Sequence, residues 1–381
     1  MKIALVLGPY SIGSRPLDFW YSNILVSSRG LTGTELCLVK MAEEFAKKQH
    51  EVHLFTVHAQ PHNKPEMWAG AKLYNFDELV NVVDDTFDCV ISLNEPEVFS
   101  FLSNSTTKPL RIVWQMLNDF SYCGPNYDDF VDLYLGVCHQ HMEILKARSI
   151  RPDKWDMVPL GCSPEVYEDR RVPGRVIWCS SADRGLHWLL SQWPKIRKEV
   201  PYASLKIFYH FNYGAIPNIE PHDKNNHFHI VEMGQRVRYI KNAIEKLKDF
   251  GVEHIGSVSR QQINEEFSQA SVFGYTCDTV SFSEGFSVST LEAHASYTVP
   301  VITDKDCLGS IYKDSGCIVI PSPIKDHLPE YTNSIIKSLT DKAYADDVID
   351  RCRKFALEHS WEKSVSKLEQ KIIEYKGKKN G

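Results

Sequence analysis

Short apolar runs alternate with amphipathic segments along the whole chain. In the first half the apolar runs predict strands, and the clearest helix is Thr34–Gln49, whose apolar positions recur at helical spacing. The predicted strands of this half are Lys2–Gly8, Glu51–Val57, Asp88–Leu93, Leu110–Gln115, Leu133–Val137 and Asp156–Leu160. Strands that alternate with helices are typical of a parallel sheet with crossover helices, so we expect a complete Rossmann-like domain here.

The same pattern restarts after a charged, proline-containing stretch, Glu168–Gly174, which we interpret as a linker. The predicted strands that follow are Arg175–Cys179, Leu205–Tyr209, Val252–Ile255, Val272–Tyr275, Val299–Ile302 and Cys317–Ile320. The predicted helices are Leu186–Val200, Val237–Phe250, Gln261–Ala270, Ser287–Ser296 and Trp361–Tyr375. The pattern thus predicts an α/β protein with two doubly wound parallel-sheet domains, residues 1–170 and 171–360, facing a central cleft. We expect residues 361–381 to form a helix that crosses back onto the first domain.

Composition and charge narrow the class of protein. Hydrophobic residues make up 43% and charged residues 24%, as in globular proteins. The net charge of -6 lies in residues 1–150, which hold 12 Lys and Arg against 18 Asp and Glu, so nucleic acid is not an expected partner. Ten cysteines are scattered with no C-x-x-C pair, and no apolar run is long enough for a membrane span. We expect a cytoplasmic protein, or one peripheral to the cytoplasmic face of a membrane.

Two carboxylates with seven residues between them, Glu284 and Glu292, are the main chemical signal. Gly285 breaks regular structure and Ser287 or Ser289 can cap a helix, which places Glu292 about one turn into that helix. A helix N-terminus binds anions, and two carboxylates around it suit the hydroxyls of a sugar and a ribose on either side of a diphosphate. We interpret the segment as a nucleotide-sugar site; two solvated surface glutamates are the alternative.

The run from Glu284 to Ala293, followed by the strand Val299–Ile302, resembles the E-x7-E signature of the retaining family-4 glycosyltransferases, which have the two-domain GT-B fold. The resemblance implies that Glu292 binds the ribose hydroxyls and that Glu284 has a catalytic position facing the transferred sugar. It also implies that the backbone amides of Gly285, Phe286 and Ser287 contact the diphosphate or the sugar.

A second resemblance follows the first strand of the second half, in Ser180–Leu186. The family usually has a basic residue followed by glycine here, and a further basic residue five positions earlier. Arg184-Gly185 supplies the first feature, whereas Cys179 stands at the earlier position. The resemblance implies that Arg184 is a catalytic and donor-binding residue that clamps the diphosphate, because arginine can bind phosphate bidentately. Lys206 is a candidate helper; a surface ion pair for Arg184 and a solvated edge position for Lys206 are the alternatives.

The first half resembles the family more loosely. The segment Gly30–Glu35 opens the first helix, at a turn where the family places a glycine pair. The resemblance implies that Gly33 lets the backbone come close to the donor. A plain helix start is the alternative. Many relatives carry a histidine at the end of a first-domain strand, where this chain has Trp114–Asp119. Asn118 and Asp119 are candidates for acceptor or sugar contacts, and simple turn residues are the alternative.

The resemblance implies a retaining, metal-independent transferase that moves a hexose or pentose from a nucleoside-diphosphate sugar, of UDP or GDP type, to a hydroxyl of a glycan, lipid or small acceptor. No cofactor and no metal are expected. His222, His227 and His229 cluster in a polar segment, Phe211–Gly234, which we predict to be a surface loop, but they lack metal-ligand spacing. A nucleotide-sugar epimerase, a phosphorylase or a non-catalytic sugar-nucleotide-binding module would use the same cleft.

Overall fold

The structure, a computed structural model, describes residues 1–9, 17, 24–26, 30–58, 62, 64–102, 108–118, 125–209 and 228–380. Chain contacts divide it into two units. The first unit holds the N-terminal strand, the segment Leu31–Gly161 and the segment that begins at His359; the second unit holds Cys162–Glu358. The two boundaries between the units thus fall after Gly161 and after Glu358. The sequence predicts them after residues 170 and 360.

The first unit is a sheet with helices packed on it. Its strands are β1 (Lys2–Leu7), β2 (Glu51–Thr56), β3 (Met67–Trp68), β4 (Ala71–Asn75), β5 (Cys89–Leu93), β6 (Leu110–Trp114), β7 (Leu133–Gly136) and β8 (Trp155–Met157). Its helices before the C-terminal segment are α1 (Gly33–Lys47), α2 (Leu79–Val82), α3 (Val98–Leu102) and α4 (His139–Lys146). The strand order is β3-β4-β2-β1-β5-β6-β7-β8, and all pairs are parallel except β3 with β4.

Helix α1 shows how local sequence sets an element of this unit. Thr32 and Glu35 form a capping box, in which each side chain accepts a hydrogen bond from the other residue's backbone N–H. Leu36, Val39 and Phe45 then face the core and are fully or almost fully buried. The helix confirms the prediction over Thr34–Gln49, although it begins at Gly33 and ends at Lys47.

The second unit has a sheet that is parallel throughout. Its strands are β9 (Arg175–Cys179), β10 (Ser204–Phe208), β11 (Val252–Gly256), β12 (Val272–Tyr275), β13 (Val299–Thr303) and β14 (Ile318–Ile320). Its helices are α5 (Leu186–Glu199), α6 (Phe228–Leu247), α7 (Arg260–Gln269), α8 (Val288–Ala295), α9 (Leu308–Tyr312), α10 (Leu328–Thr340) and α11 (Lys342–Leu357). The strand order is β11-β10-β9-β12-β13-β14. The predicted α/β architecture with two parallel-sheet domains is confirmed.

Three parts of the second unit differ from the prediction. Residues 228–234, predicted as the end of the surface loop Phe211–Gly234, form the first turns of α6; residues 211–227 lie outside the described part of the chain. Among the side chains of α6 that the structure describes, which start at residue 231, the first fully buried apolar one is Val237. The predicted linker Glu168–Gly174 lies inside the unit, where the Val172 N–H donates to the carbonyl of Gln269 at 2.9 Å. Helices α10 and α11 were not predicted.

The C-terminal helix α12 (Trp361–Asn380) belongs to the first unit. Its residues Leu368 and Ile372 are fully buried, and Glu369 accepts a hydrogen bond from His50 at 2.8 Å. Lys376 pairs with Asp88 at the start of β5. None of the described helices is long and apolar enough to cross a membrane.

Candidate functional site

The strand order of the second unit reverses between β9 and β12. Strands β10 and β11 lie on one side of β9, whereas β13 and β14 lie beyond β12. Because all of these strands are parallel, their carboxyl ends share one edge of the sheet. Ligands of open α/β sheets bind at such a reversal, in the crevice between the two loops that leave it. These loops carry Arg184, after β9, and Glu284, after β12.

Arg184 and Glu284 form an ion pair at this point. Nη1 of Arg184 lies 2.8 Å from Oε2 of Glu284; the Glu284 side chain is 5% exposed and that of Arg184 31%. The same carboxylate oxygen accepts a hydrogen bond from the Tyr275 hydroxyl at 2.5 Å, and Ser180 Oγ donates to that hydroxyl at 3.2 Å. Burial raises the pKa of Tyr275 well above its ordinary value, which keeps its hydroxyl protonated as a donor. Two donors, the Arg184 guanidinium and the Tyr275 hydroxyl, therefore hold the Glu284 side chain in place.

Gly185 allows the loop after β9 to reach this position. Its φ is +120°, and a Cβ at this residue would lie 1.8 Å from the carbonyl oxygen of Thr276. The Thr276 hydroxyl donates to the carbonyl of Gly185 at 2.7 Å, and the Asp278 N–H donates to the carbonyl of Arg184 at 2.8 Å. Only glycine fits such a backbone-to-backbone approach, which fixes Arg184 against the loop after β12.

Two residues that sequence reasoning missed hold these loops. Arg236 of α6 donates from Nη1 to the carbonyls of Asp183 and Asp278, one in each loop. Asp306 accepts three hydrogen bonds on Oδ2, from the N–H of Ser283 and of Glu284 at 3.0 Å each and from the Thr279 hydroxyl at 2.8 Å. Neither residue lies in a motif, and neither had a local signal in the sequence.

The predicted helix start after Glu284 is α8. Ser287 is its N-cap and accepts a hydrogen bond from the Thr290 N–H at 3.2 Å. Gly285 is buried, and the ring of Phe286 packs on Tyr312, whose hydroxyl donates to the carbonyl of Ser287 at 2.8 Å. The segment Gly285–Ser287 therefore leads into the positive end of the helix at the strand reversal.

Glu292 lies on α8 and forms a second buried ion pair. Its partner is Arg260, the first residue of α7, which sequence reasoning also missed. Arg260 Nη2 donates to Asn264 Oδ1 at 2.6 Å and to the Tyr167 hydroxyl at 3.1 Å. The side chains of Glu292 and Arg260 are 6% and 13% exposed. Each of the two predicted carboxylates is thus paired with an arginine.

Lys206, the candidate helper, has a structural partner instead. Its Nζ lies 2.8 Å from Oε1 of Glu266 on α7. This ion pair supports a structural role for Lys206 rather than a phosphate ligand. The alternative of a solvated edge position does not hold either, because β10 lies between β11 and β9 and the Lys206 side chain is only 21% exposed. The described residues contain no group of three or more His, Cys, Asp and Glu that could hold a metal ion. His222 and His227 lie outside the described residues, and so does the side chain of His229.

In the first unit, Gly33 is the first residue of α1. A Cβ added to it would meet no atom of the structure within 4 Å, and its φ is not in the left-handed region. The packing around Gly33 in the described residues therefore does not require glycine. Its implied role toward a donor stays a prediction.

Asn118 follows β6, and Asp119 lies outside the described residues. Asn118 Oδ1 is buried and has no hydrogen-bond partner among the residues that the structure describes. Asn94, which sequence reasoning missed, follows the neighbouring strand β5 and is fully buried with φ +64°. Its Oδ1 accepts hydrogen bonds from the N–H groups of Met116 at 2.6 Å and Leu117 at 3.1 Å, and so holds the segment that carries Asn118.

His141 supports the same segment from α4. Burial lowers the pKa of His141 to about 4, so the imidazole is neutral at physiological pH. The Val137 N–H donates to its Nδ1 at 3.3 Å, which leaves Nε2 to donate to the carbonyl of Leu117 at 3.4 Å. His141 is therefore a structural residue.

Comparisons with known proteins agree with this architecture. Residues 211–355 match the family model of the Glycosyl transferases group 1. No curated protein matches the chain in sequence. Among solved structures, sucrose-phosphate synthase from Thermosynechococcus elongatus is similar with a TM-score of 0.68 and 12% identity over 98% of each chain.

Two further structures are also similar over almost the full length of the chain. The trehalose-6-phosphate synthase OtsA has a TM-score of 0.71 and 8% identity, over 98% of this chain and 99% of its own. HepE of Anabaena, in complex with UDP and glucose, has a TM-score of 0.64 and 12% identity, over 98% of this chain and 100% of its own. At these identities the likeness shows the fold alone, and the predicted GT-B fold is confirmed.

Proposed function

We propose that the chain is a retaining glycosyltransferase that moves a sugar from a nucleoside-diphosphate sugar to a hydroxyl group of an acceptor. The observation that carries the proposal is the Arg184–Glu284 pair at the strand reversal of the second sheet. Helix α8 begins just after Glu284, and Glu292 lies in this helix. An arginine and a helix N-terminus bind a diphosphate, and carboxylates accept hydrogen bonds from sugar and ribose hydroxyls. The family match over residues 211–355 supports the same class of reaction.

The proposed donor site assigns one task to each predicted residue. Glu292 binds the ribose hydroxyls, and Glu284, held by Arg184 and Tyr275, accepts hydrogen bonds from the transferred sugar. The amides of Gly285, Phe286 and Ser287 contact the diphosphate. HepE was solved with UDP and glucose, which makes UDP-glucose the first donor to test.

In the proposed reaction the bond between the anomeric carbon and the diphosphate oxygen breaks, and the acceptor oxygen bonds to that carbon on the same face. Negative charge develops on the leaving diphosphate, where Arg184 stabilises it. The proton of the acceptor hydroxyl passes to the leaving phosphate, so the step requires no protein base. The reaction also requires no metal ion, because arginine and helix dipole supply the positive charge.

In the first unit we propose Asn118 and Asp119 as acceptor or sugar contacts, and Gly33 as a contact of the donor. The buried Oδ1 of Asn118 can accept a hydrogen bond from a sugar hydroxyl, and Asn94 holds the segment in place. No atom of the described residues lies within 4 Å of a Cβ position at Gly33, which agrees with room for the donor beside the start of α1. A glycan or a lipid-linked sugar provides hydroxyls of the required kind.

The test is to incubate the full chain with UDP-glucose, GDP-mannose or ADP-glucose, a panel of sugar acceptors and EDTA. We expect acceptor-dependent release of the nucleoside diphosphate, and a product whose anomeric configuration, read by proton NMR, equals that of the donor. Arg184→Met should lower kcat by about 100-fold or more, as loss of one preorganised charge donor does. An inverted product would overturn the retaining mechanism, and an epimerised donor without acceptor would identify an epimerase.

A further inference from the structure

A second arginine, Arg260, has the same relation to a carboxylate as Arg184. Arg184 pairs with Glu284 and Arg260 with Glu292, and in both pairs the carboxylate is the more buried partner. Breaking either pair would leave a buried carboxylate without its counter-charge. The proposed function uses both carboxylates but only one of the arginines.

Both guanidinium groups keep donors that the described protein does not use. The hydrogen bond of Arg184 to Glu284 uses Nη1. The hydrogen bonds of Arg260 to Tyr167 and Asn264 both use Nη2, which also makes the closest approach to Glu292. The other guanidinium nitrogens of the two residues have no hydrogen-bond partner among the described residues, and none of them is a fully buried atom. Each arginine is therefore anchored through one nitrogen and can donate through others.

Arg260 also stands where helix electrostatics does not favour it. It is the first residue of α7, directly after the N-cap Ser259. The positive end of the helix dipole destabilises a cation at this position and favours an acid. The contacts with Glu292 offset this effect. Two uncharged side chains in place of Arg260 and Glu292 would avoid the cost altogether. A ligand that needs positive charge gives a reason for an arginine here.

The place of Arg260 agrees with such a ligand. Helix α7 follows β11, so Arg260 lies at the carboxyl edge of the sheet, as does Cys179 at the end of β9. Burial raises the pKa of the Cys179 thiol; the Glu292 carboxylate raises it further and the Arg260 cation lowers it. Both charges therefore act at the end of β9, the strand whose following loop carries Arg184.

We propose that Arg260 is the second cation of the diphosphate-binding site. The inference rests on the proposed function. A nucleoside diphosphate carries negative charge on two phosphate groups, and Arg184 alone supplies one full positive charge. Arg260 binds the diphosphate through Nε or Nη1 while Nη2 stays on Glu292, so that one residue links the ribose carboxylate to the phosphates.

A purely positioning role is the competing explanation. In that case Arg260 only orients the Glu292 carboxylate toward the ribose, and its loss weakens every ligand that has a ribose. A phosphate contact weakens only ligands that have phosphates. The ratio of diphosphate affinity to nucleoside affinity therefore separates the two roles.

The experiment is calorimetric titration of the full chain with UDP, GDP and ADP, and competition by uridine, guanosine and adenosine. Arg260→Met removes the charge and keeps the aliphatic stem; Arg260→Gln, a second neutral variant, can still donate to Glu292 and serves if the first fails to fold. We expect Arg260→Gln to weaken the tightest diphosphate by about 10- to 100-fold and the matching nucleoside by less than about 3-fold. Arg260→Met also removes the contact with Glu292, so it should weaken both ligands, and the diphosphate by at least about 10-fold more than the nucleoside. Lys206→Met, which breaks the ion pair with Glu266 on the same helix, should change neither affinity.

Two results would overturn the proposal and have different meanings. If the wild type binds a diphosphate and the Arg260 variants lose equal factors for diphosphate and nucleoside, or lose nothing, Arg260 is not a phosphate ligand while the proposed function stands. If the wild type binds none of the three diphosphates, both the second cation and the transferase proposal fail.

Discussion

Gly185→Ala is the substitution whose effect the structure defines most sharply. The added Cβ would lie 1.8 Å from the carbonyl oxygen of Thr276 and 3.0 Å from the backbone nitrogen of Asp278. Both are backbone atoms, so no side-chain rotation relieves the overlap. The loop that carries Arg184 must move by more than 1 Å to reach an ordinary contact distance, which begins at 3.4 Å.

Several costs add for this substitution. A non-glycine residue at φ +120° costs about 1–2 kcal/mol. Overpacking against the backbone adds about 1–3 kcal/mol. The hydrogen bonds of Thr276 Oγ1 to Gly185 and of the Asp278 N–H to Arg184 are stretched, at about 1 kcal/mol each. We expect Gly185→Ala to destabilise the second unit by about 3 kcal/mol or more and to move Arg184 away from Glu284.

Thermal unfolding followed by circular dichroism measures the first effect, and kcat/KM for the donor measures the second. A loss of about 3 kcal/mol corresponds to a decrease in Tm of roughly 6–12 °C for a unit of this size. Gly256→Ala is the matched control, because Gly256 also has a positive φ, +85°, but no atom of the described residues lies within 4 Å of its Cβ position. It should cost only the backbone strain. A Gly185→Ala protein with the Tm and activity of Gly256→Ala would refute the reasoning.

Three further predictions concern the carboxylate network, the first helix and pH. Tyr275→Phe removes one of the two hydrogen-bond donors to Glu284. It should lower the free energy of unfolding by about 1.5–3 kcal/mol, measured by chemical unfolding, and also lower kcat. An unchanged kcat would show that Tyr275 does not support the site. Gly33→Ala should leave Tm unchanged or higher, since space is open there, but raise the donor KM by about 10-fold or more; a normal KM would leave Gly33 as a plain helix start. His141, whose pKa burial lowers to about 4 from about 6.5 in the unfolded chain, binds fewer protons when folded. Stability of the first unit should therefore fall as pH falls from about 6.5 to 4, by up to about 3 kcal/mol, and His141→Gln should flatten this fall in pH-dependent urea unfolding; equal falls in both proteins would contradict this role.

The helices and strands that the sequence predicted best are those whose own residues show a clear pattern. Strands such as β1 and β13 are continuous apolar runs because both faces of a parallel strand are buried. Helix α1 has a capping box and a clear apolar stripe. Strands β3 and β4 were missed because they are short, and polar or half-exposed residues such as Lys72 and Asn75 interrupt their apolar pattern.

The candidate site was predictable where its residues sit in one local segment. Glu284, Ser287 and Glu292 follow one another through a loop and a helix start, and Arg184 is beside the glycine that its loop needs. Arg236, Arg260 and Asp306 come from α6, α7 and the loop after β13, and they meet the site only through the strand order. No local pattern records such contacts, so these three residues required the structure.

The central claim is that the second unit binds the diphosphate and ribose of a nucleotide sugar through Arg184 and Glu292. Its most direct test is thermal unfolding of the full chain with UDP, GDP, ADP and their sugars, alongside Arg184→Met and Glu292→Gln. We predict that a nucleoside diphosphate and its sugar, sharing one base, raise the Tm of the wild type. At a ligand concentration of 100 times Kd the stabilisation should be about 2.7 kcal/mol, and both variants should lose it. Two results would contradict the account: a wild type whose Tm responds to none of these ligands, or variants whose Tm rises as much as that of the wild type.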